Sequence, residues 1–159
     1  MRIVDVPLVS RASLEPLLAE SFEGWYLSHS KKTLTSIEAV REAVVDEHPV
    51  GLVMLKTFNG AIGYVYYIAV ARDHRRRRVG TLLLDHSLEY FSRLGMREAC
   101  ASIEKENVES EGLFGSCGFV RTSFREVSRK YGNLNALNLY RKMLVVPGET
   151  LLCRPLNST

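Results

Sequence analysis

No stretch of this 159-residue chain approaches the roughly 20 consecutive apolar residues that a helix needs to cross a bilayer. A membrane-spanning helix is therefore excluded. Cysteine is scarce: Cys100, Cys117 and Cys153 are an odd number, widely spaced and without a CxxC pair. That spacing reads neither as a disulfide framework nor as a metal site, and a reducing compartment is the expected home. The N-terminus, Met-Arg-Ile-Val-Asp-Val-Pro, lacks the apolar run and small-residue cleavage site of a secretion signal, so the expectation is cytoplasmic. A long basic segment interleaved with aromatics is also missing, which argues against nucleic acid as the partner.

What is present is the composition of an ordinary globular chain, 46% hydrophobic and 25% charged. The length suits one domain spanning residues 1–159, able to bury a core without metals or disulfides. The net charge is only +3, yet Arg72 and Arg75 to Arg78 crowd into one short segment. A mild excess with one dense cluster points to a local anionic partner.

Met1 to Val9 has the apolar positions of a first strand. Ser13 can cap a helix presenting Leu14, Leu17, Leu18, Phe22 and Trp25 on one face. Thr35-Ser-Ile-Glu38 reads as a capping box, with a helix after it burying Ile37, Val40 and Val44. Strands follow at Val50–Lys56 and Ile62–Val70, joined by the turn signal Thr57-Phe-Asn-Gly60. A helix over Thr81–Leu94 stops at Gly95, Ala99–Ile103 is a strand, and Val108–Cys117 a helix. Phe119 begins a strand, and Leu137–Leu144 reads as the last one. The order β-α-α-β-β-α-β-α-β-β implies an α/β fold with a mixed, mostly antiparallel central sheet and helices on both faces. Two roles are open to residues 145–159: an extra edge strand at Leu151-Leu152-Cys153, or a contact in a homodimer.

Two stretches carry chemistry. Arg75-Arg76-Arg77-Arg78-Val79-Gly80-Thr81 lies between the strand ending at Val70 and the helix of Leu82-Leu83-Leu84. A strand turning into a helix presents unpaired N–H groups and the positive end of the helix dipole, which together bind phosphate. The second stretch supplies Asn107, Ser110, Leu113-Phe114 and Gly118-Phe119. In order and spacing the two resemble the motifs of the GNAT family of N-acetyltransferases, most nearly its branch that acts on protein N-termini. The resemblance covers residues 49–144 well and the N-terminal third poorly.

That resemblance implies the acyl-CoA N-acyltransferase fold, acetyl-CoA as the acyl donor and a primary amine, of a protein, a peptide or a small molecule, as the acceptor. It implies that the backbone of Arg76 to Thr81 holds the pyrophosphate, with guanidinium groups of Arg75, Arg76, Arg77 and Arg78 available to a further phosphate. The family pattern places glycine where this chain has Arg78, and an arginine is accommodated there if its φ stays negative. Asn107 is expected on the pantetheine arm, although Asn also caps helices readily. Ser110 leaves room for the arm, and the strand end at Ile68, Ala69 and Val70 offers an N–H to the acetyl oxyanion. Phe114 stands where many members have a tyrosine that protonates the departing thiolate, with Cys117, Tyr131 or Tyr140 as conceivable substitutes. The family base falls on Ser102; Glu104, two residues on and on the same strand face, is the candidate base. The alternative for Glu104 is a plain exposed charge. Acyl-CoA binding without turnover is the first rival reading, and nucleic-acid binding through Arg75 to Arg78 the second, less favoured one.

Overall fold

In the computed structural model, which describes Met1–Leu156, seven strands follow the order β1-β2-β3-β4-β5-β7-β6 in a mostly antiparallel sheet accompanied by six α-helices. This is the acyl-CoA N-acyltransferase fold. The chain forms two compact units, residues Met1–Lys56 with Val65–Tyr90, and Thr57–Tyr64 with Phe91 onward.

The first unit holds β1 (Arg2–Asp5), α1 (Glu15–Ser21), α2 (Gly24–Leu34), β2 (Ala39–Val45), most of β3 (His48–Phe58), most of β4 (Ile62–Val70) and the start of α3 (Val79–Arg93). The helix expected from Ser13 to Trp25 is replaced by a 3-10 turn at Leu8–Leu14 and two helices, α2 opening on Gly24 at φ +56°. Leu14, Leu17 and Leu18 face the core as expected, whereas Trp25 is 57% exposed.

A second correction falls on Thr35–Val44. Thr35 ends α2 rather than capping a new helix, and Ala39–Val45 is a strand pairing with β1 and β3. The spacing of Ile37, Val40 and Val44 suited a helix, but β-branched valines with partners on both sides favour a strand. Buried Arg11 helps set this boundary, donating to the carbonyls of Leu34 at 3.1 Å and Ile37 at 2.7 Å. A cation thus closes the C-terminus of α2. Leu14, Leu18, Leu34, Leu52 and Met54 are fully buried in one cluster, each contributing about 1.5–3 kcal/mol.

The second unit holds the Asn59-Gly60 turn, both residues at positive φ, then β5 (Glu98–Glu104), α4 (Val108–Ser116), β6 (Val120–Arg121), α5 (Phe124–Tyr131), α6 (Asn133–Lys142) and β7 (Glu149–Pro155). The strand expected at Leu137–Leu144 is helical: α6 buries Ala136 and Leu139 three residues apart. The last strand instead comes from the tail. Leu151-Leu152-Cys153 lies inside β7, which pairs with both β5 and β6 and so is interior to the sheet, not an added edge. Asn157 to Thr159 of the expected tail lie outside the described residues. Tyr64 donates its hydroxyl to the carbonyl of Met143 at 2.9 Å, holding the end of α6.

Candidate functional site

Beyond β4 the first unit makes the turn that the sequence singled out. The N–H of Ala71 bonds to Val50 at 2.8 Å, and a 3-10 turn at Arg72–His74 leads to Arg75 in an extended conformation. Arg76 and Arg78 then adopt φ values of +61° and +66°, and α3 starts at Val79. The condition set for an arginine at position 78, a negative φ, is therefore not met. The chain enters the helix through a left-handed residue, the conformation for which glycine is the unstrained choice.

Each residue of the run has its own situation. Arg75 is turned back on the protein: its Nε donates to the carbonyl of Val70 at 3.1 Å and its Nη2 reaches Ser21 Oγ at 3.5 Å. The N–H of Arg72 meets Glu20 Oε2 at 3.2 Å. Arg76, Arg77 and Arg78 are exposed, Val79 and Gly80 are buried and Thr81 is half-buried. A Cβ on Gly51 would stand 2.9 Å from Val79 Cγ1 and 3.2 Å from the carbonyl of Ala69, so this glycine lets the start of α3 settle against β3. Ile68 and Val70 are half-buried and Ala69 is buried at the end of β4. Alternating left-handed residues before a helix N-terminus make a concave set of N–H donors, flanked here by three exposed guanidinium groups. Such a turn suits a polyphosphate.

The same unit carries an aromatic group that no motif or spacing announced, built from α2 and the end of β4. The His29 ring stacks on Trp25 with centroids 4.8 Å apart, and its Nδ1 lies 2.6 Å from the hydroxyl of Tyr67. Tyr66 stacks at 6.1 Å and Phe22 meets Tyr67 edge-on. Burial, and then Lys32, hold the His29 imidazolium below its ordinary range.

In the second unit Asn107 caps α4, its side chain accepting the N–H of Ser110 at 3.0 Å. Phe114 is buried edge-on against Phe119. None of the conceivable substitute acids stands open: Cys117 is buried, Tyr140 packs on Phe124 with its ionisation pushed up by burial and Glu126, and the Tyr131 hydroxyl donates to Glu98. Burial and that bond push Tyr131 far above the ordinary phenol range.

Glu104 is exposed at the end of β5, while Ser102 donates its hydroxyl to Glu149 Oε2. Sequence reasoning missed Glu149 because β7 was not recognised as the neighbour of β5. The same oversight hid a cysteine pair. Cys100 and Cys153 are register partners joined as a disulfide, correcting the reading that the cysteines do not pair. Glu98 adjoins them, so three ligand-type atoms lie within 4.8 Å of one another; sulfurs joined to each other have no thiolate to offer a metal. No helix among the described residues is long and apolar enough to cross a membrane.

The fold and the two motifs together define an acyltransferase-like chain. Residues 10–119, more than half of its length, match the model of the acetyltransferase (GNAT) family, and the chain belongs to that family. No curated protein matches it in sequence. Solved structures resemble it throughout. The ribosomal-protein-S18-alanine N-acetyltransferase from Escherichia coli superposes with a TM-score of 0.73 at 11% identity, over 99% of this chain and 95% of that one. Ard1 from Thermoplasma volcanium gives 0.71 at 16% identity, covering 99% and 98%. A GNAT family acetyltransferase from Elizabethkingia anophelis, solved with acetyl-CoA bound, gives 0.71 at 15% identity, covering 98% and 97%.

Proposed function

We propose that this chain transfers the acetyl group of acetyl-CoA to a primary amine, by direct attack of the amine on the thioester while both are bound. The observation that carries the reading is the turn from Arg75 to Thr81, with left-handed residues at Arg76 and Arg78 and a helix starting at Val79. In this reading the N–H groups of Arg76, Arg77, Arg78, Val79, Gly80 and Thr81 hold the pyrophosphate. The exposed guanidinium groups meet the remaining phosphate on the ribose, and Arg75 keeps the turn in shape. A backbone N–H at Ile68, Ala69 or Val70 receives the developing oxyanion. Asn107 and Ser110 flank the pantetheine arm beside Phe114. The acceptor ammonium loses its proton to a carboxylate where β5 runs out toward Asn107.

The acceptor is proposed as a protein or peptide amine. Support comes from motif spacing and from the likeness to the Escherichia coli enzyme, whose name describes acetylation of a ribosomal-protein alanine. A small-molecule amine is the other candidate. The chain also resembles an aminoglycoside 6'-acetyltransferase, with a TM-score of 0.71 at 11% identity. A second reading, binding of acyl-CoA without turnover, draws on Phe114, which has no hydroxyl to give the thiolate. A thiol of pKa about 8.5 leaves tolerably near neutral pH without an acid, so turnover is retained as the first reading.

The test is calorimetric titration of acetyl-CoA at physiological ionic strength, followed by mass spectrometry of peptides and polyamines incubated with protein and donor. Saturable binding with acetylated amines is expected. Binding without any acetylated amine selects the second reading. No binding removes both. Gly80→Asp, which sets a side chain and a negative charge in the turn, is expected to abolish binding.

A further inference from the structure

An ammonium ion has no lone pair with which to attack a thioester, so the acceptor must first give up a proton. Two glutamates pair across strands where β5 runs out toward Asn107, for Glu104 and Glu149 are register partners. Their circumstances differ. Glu104 is exposed, whereas Glu149 is half-buried with its Oε2 accepting the hydroxyl of Ser102. Ser102 and Glu104 share a face of β5. The bond from Ser102 therefore brings a carboxylate from β7 onto that face.

The backbone around the pair is also tied down. The N–H of Lys105 bonds to the carbonyl of Gly148, that of Glu149 to Val146 and that of Asn107 to Glu104, each at 3.0 Å. Glu149 thus begins its strand next to Gly148, which is bonded to Lys105, itself next to the residue that Asn107 bonds, and its side chain is oriented by Ser102. A proton acceptor works best when geometry holds it ready, and the bond from Ser102 gives Glu149 that anchor.

We propose that Glu149, oriented by Ser102, is the group that takes the proton from the acceptor amine. This rests on the acetyltransferase reading above. The carboxylate removes one proton from R–NH3+, directly or through one water. The freed lone pair forms the C–N bond at the thioester carbon, and the tetrahedral adduct then breaks its C–S bond. The second nitrogen proton goes to the departing CoA thiolate, giving amide and thiol, and Glu149 returns its proton to water. Ser102 is a positioning residue. The charged groups on strands beside β7 are Glu98 and Glu104 on β5 and Arg121 on β6, with Lys105 just after β5. Glu98 is already engaged by Tyr131 and Lys130, and Arg121 by Glu111.

The experiment compares the full chain with Glu149→Gln, Ser102→Ala and Glu104→Gln, using acetyl-CoA and a mixture of unblocked peptides plus spermidine as acceptors. Acetyl-CoA affinity and thermal melting are measured alongside kcat/KM across pH. Glu149→Gln is expected to keep acetyl-CoA affinity and lose about 10²-fold or more in kcat/KM at neutral pH, recovering as the amine deprotonates on its own at high pH. Ser102→Ala should keep acetyl-CoA affinity and melting but lose about 10-fold or more in kcat, and Ser102→Thr, which restores a hydroxyl, should recover it. A merely structural contact would move melting or KM instead. Glu104→Gln should leave the profile in place. The proposal is overturned if Glu149→Gln keeps the parent profile, or if Glu104→Gln carries the loss instead. Should Glu149→Gln fail to fold, Ser102→Ala decides, an unchanged kcat being the overturning result. Parent protein that binds no acetyl-CoA, or binds it and acetylates nothing, overturns the acetyltransferase reading and this proposal with it.

Discussion

The Nε of Arg75 donates to the carbonyl of Val70 at 3.1 Å, tying the first residue of the arginine run to the last residue of β4. Arg75 and its neighbours Arg76 to Arg78 are all exposed, so what sets Arg75 apart is this bond to the backbone. Removing Arg75 should therefore loosen the turn, whereas removing Arg77 should only subtract a charge. Arg75→Ala is expected to weaken acetyl-CoA binding about 5- to 10-fold, the usual worth of one hydrogen bond that organises a site. The loss should persist at high salt. Arg77→Ala should weaken binding at low salt and approach the parent as salt screens the exposed charge. Calorimetric titrations at two ionic strengths check both, and equal salt sensitivity of the two variants would contradict the assignment.

Arg78 holds a φ of +66° at the entrance to α3. A non-glycine residue in that region costs about 1–2 kcal/mol, a strain that glycine does not feel. Part of the gain is cancelled by the greater freedom of glycine in the unfolded chain. Arg78→Gly is expected to stabilise the protein by about 1 kcal/mol, or about 2–4 °C in Tm for a chain of this size. It should also reduce the salt dependence of acetyl-CoA binding by removing one cation. Calorimetric melting decides the first point, and an unchanged or lowered Tm would count against a left-handed Arg78.

The middle of the molecule was legible because its signals are local. The alternation of β4, the Asn59-Gly60 turn, the period of α3 and the Asn107 cap each depend on a few adjacent residues. The misread segments depend on partners far along the chain. Ala39–Val45 becomes a strand because β1 and β3 flank it, and Arg11 closes α2 from 23 residues away. Leu137–Leu144 matches either period, and docking of Tyr64 at Met143 accompanies the helix. The strand-to-helix turn at Arg75 to Thr81 could be named from sequence, but not the φ of Arg78, which follows from how the chain enters α3. Glu149 and the Cys100–Cys153 pair were hidden for a single reason: β7 inserts beside β5 after two helices, and no spacing rule announces that.

Gly63 and Phe91 illustrate a contact of the same non-local kind with a measurable consequence. A Cβ on Gly63 would lie 2.1 Å from Cγ of the Phe91 ring, which is fully buried. The ring cannot withdraw into solvent, so Gly63→Ala should cost about 1–3 kcal/mol or more by overpacking. The partner variant Phe91→Leu leaves a smaller side chain and is itself destabilising. In the double variant the two costs should add to less than their sum, because the truncated side chain vacates part of the space that the new methyl needs. Denaturant melts of the four proteins complete the cycle, and strict additivity would show that the clash is relieved elsewhere.

Trp25 is the only tryptophan in the chain, and it stacks on His29. Burial, and secondarily Lys32, lower the folded pKa of His29 from its ordinary 6.5. A ring whose folded pKa is depressed prefers to stay neutral in the folded state. Its contribution to stability is thus complete above pH 6.5 and is lost as the pH falls through the lower folded value. An imidazolium in contact with an indole quenches its emission, so the protein reports this titration through Trp25 alone. Emission should stay flat above pH 6.5 and fall in a single step whose midpoint lies below it. His29→Gln should remove the step and flatten the acid side of the stability profile. A step that survives in His29→Gln would assign the quenching to another group, and a midpoint above 6.5 would mean that the charged ring is stabilised by its neighbours instead of being penalised by burial.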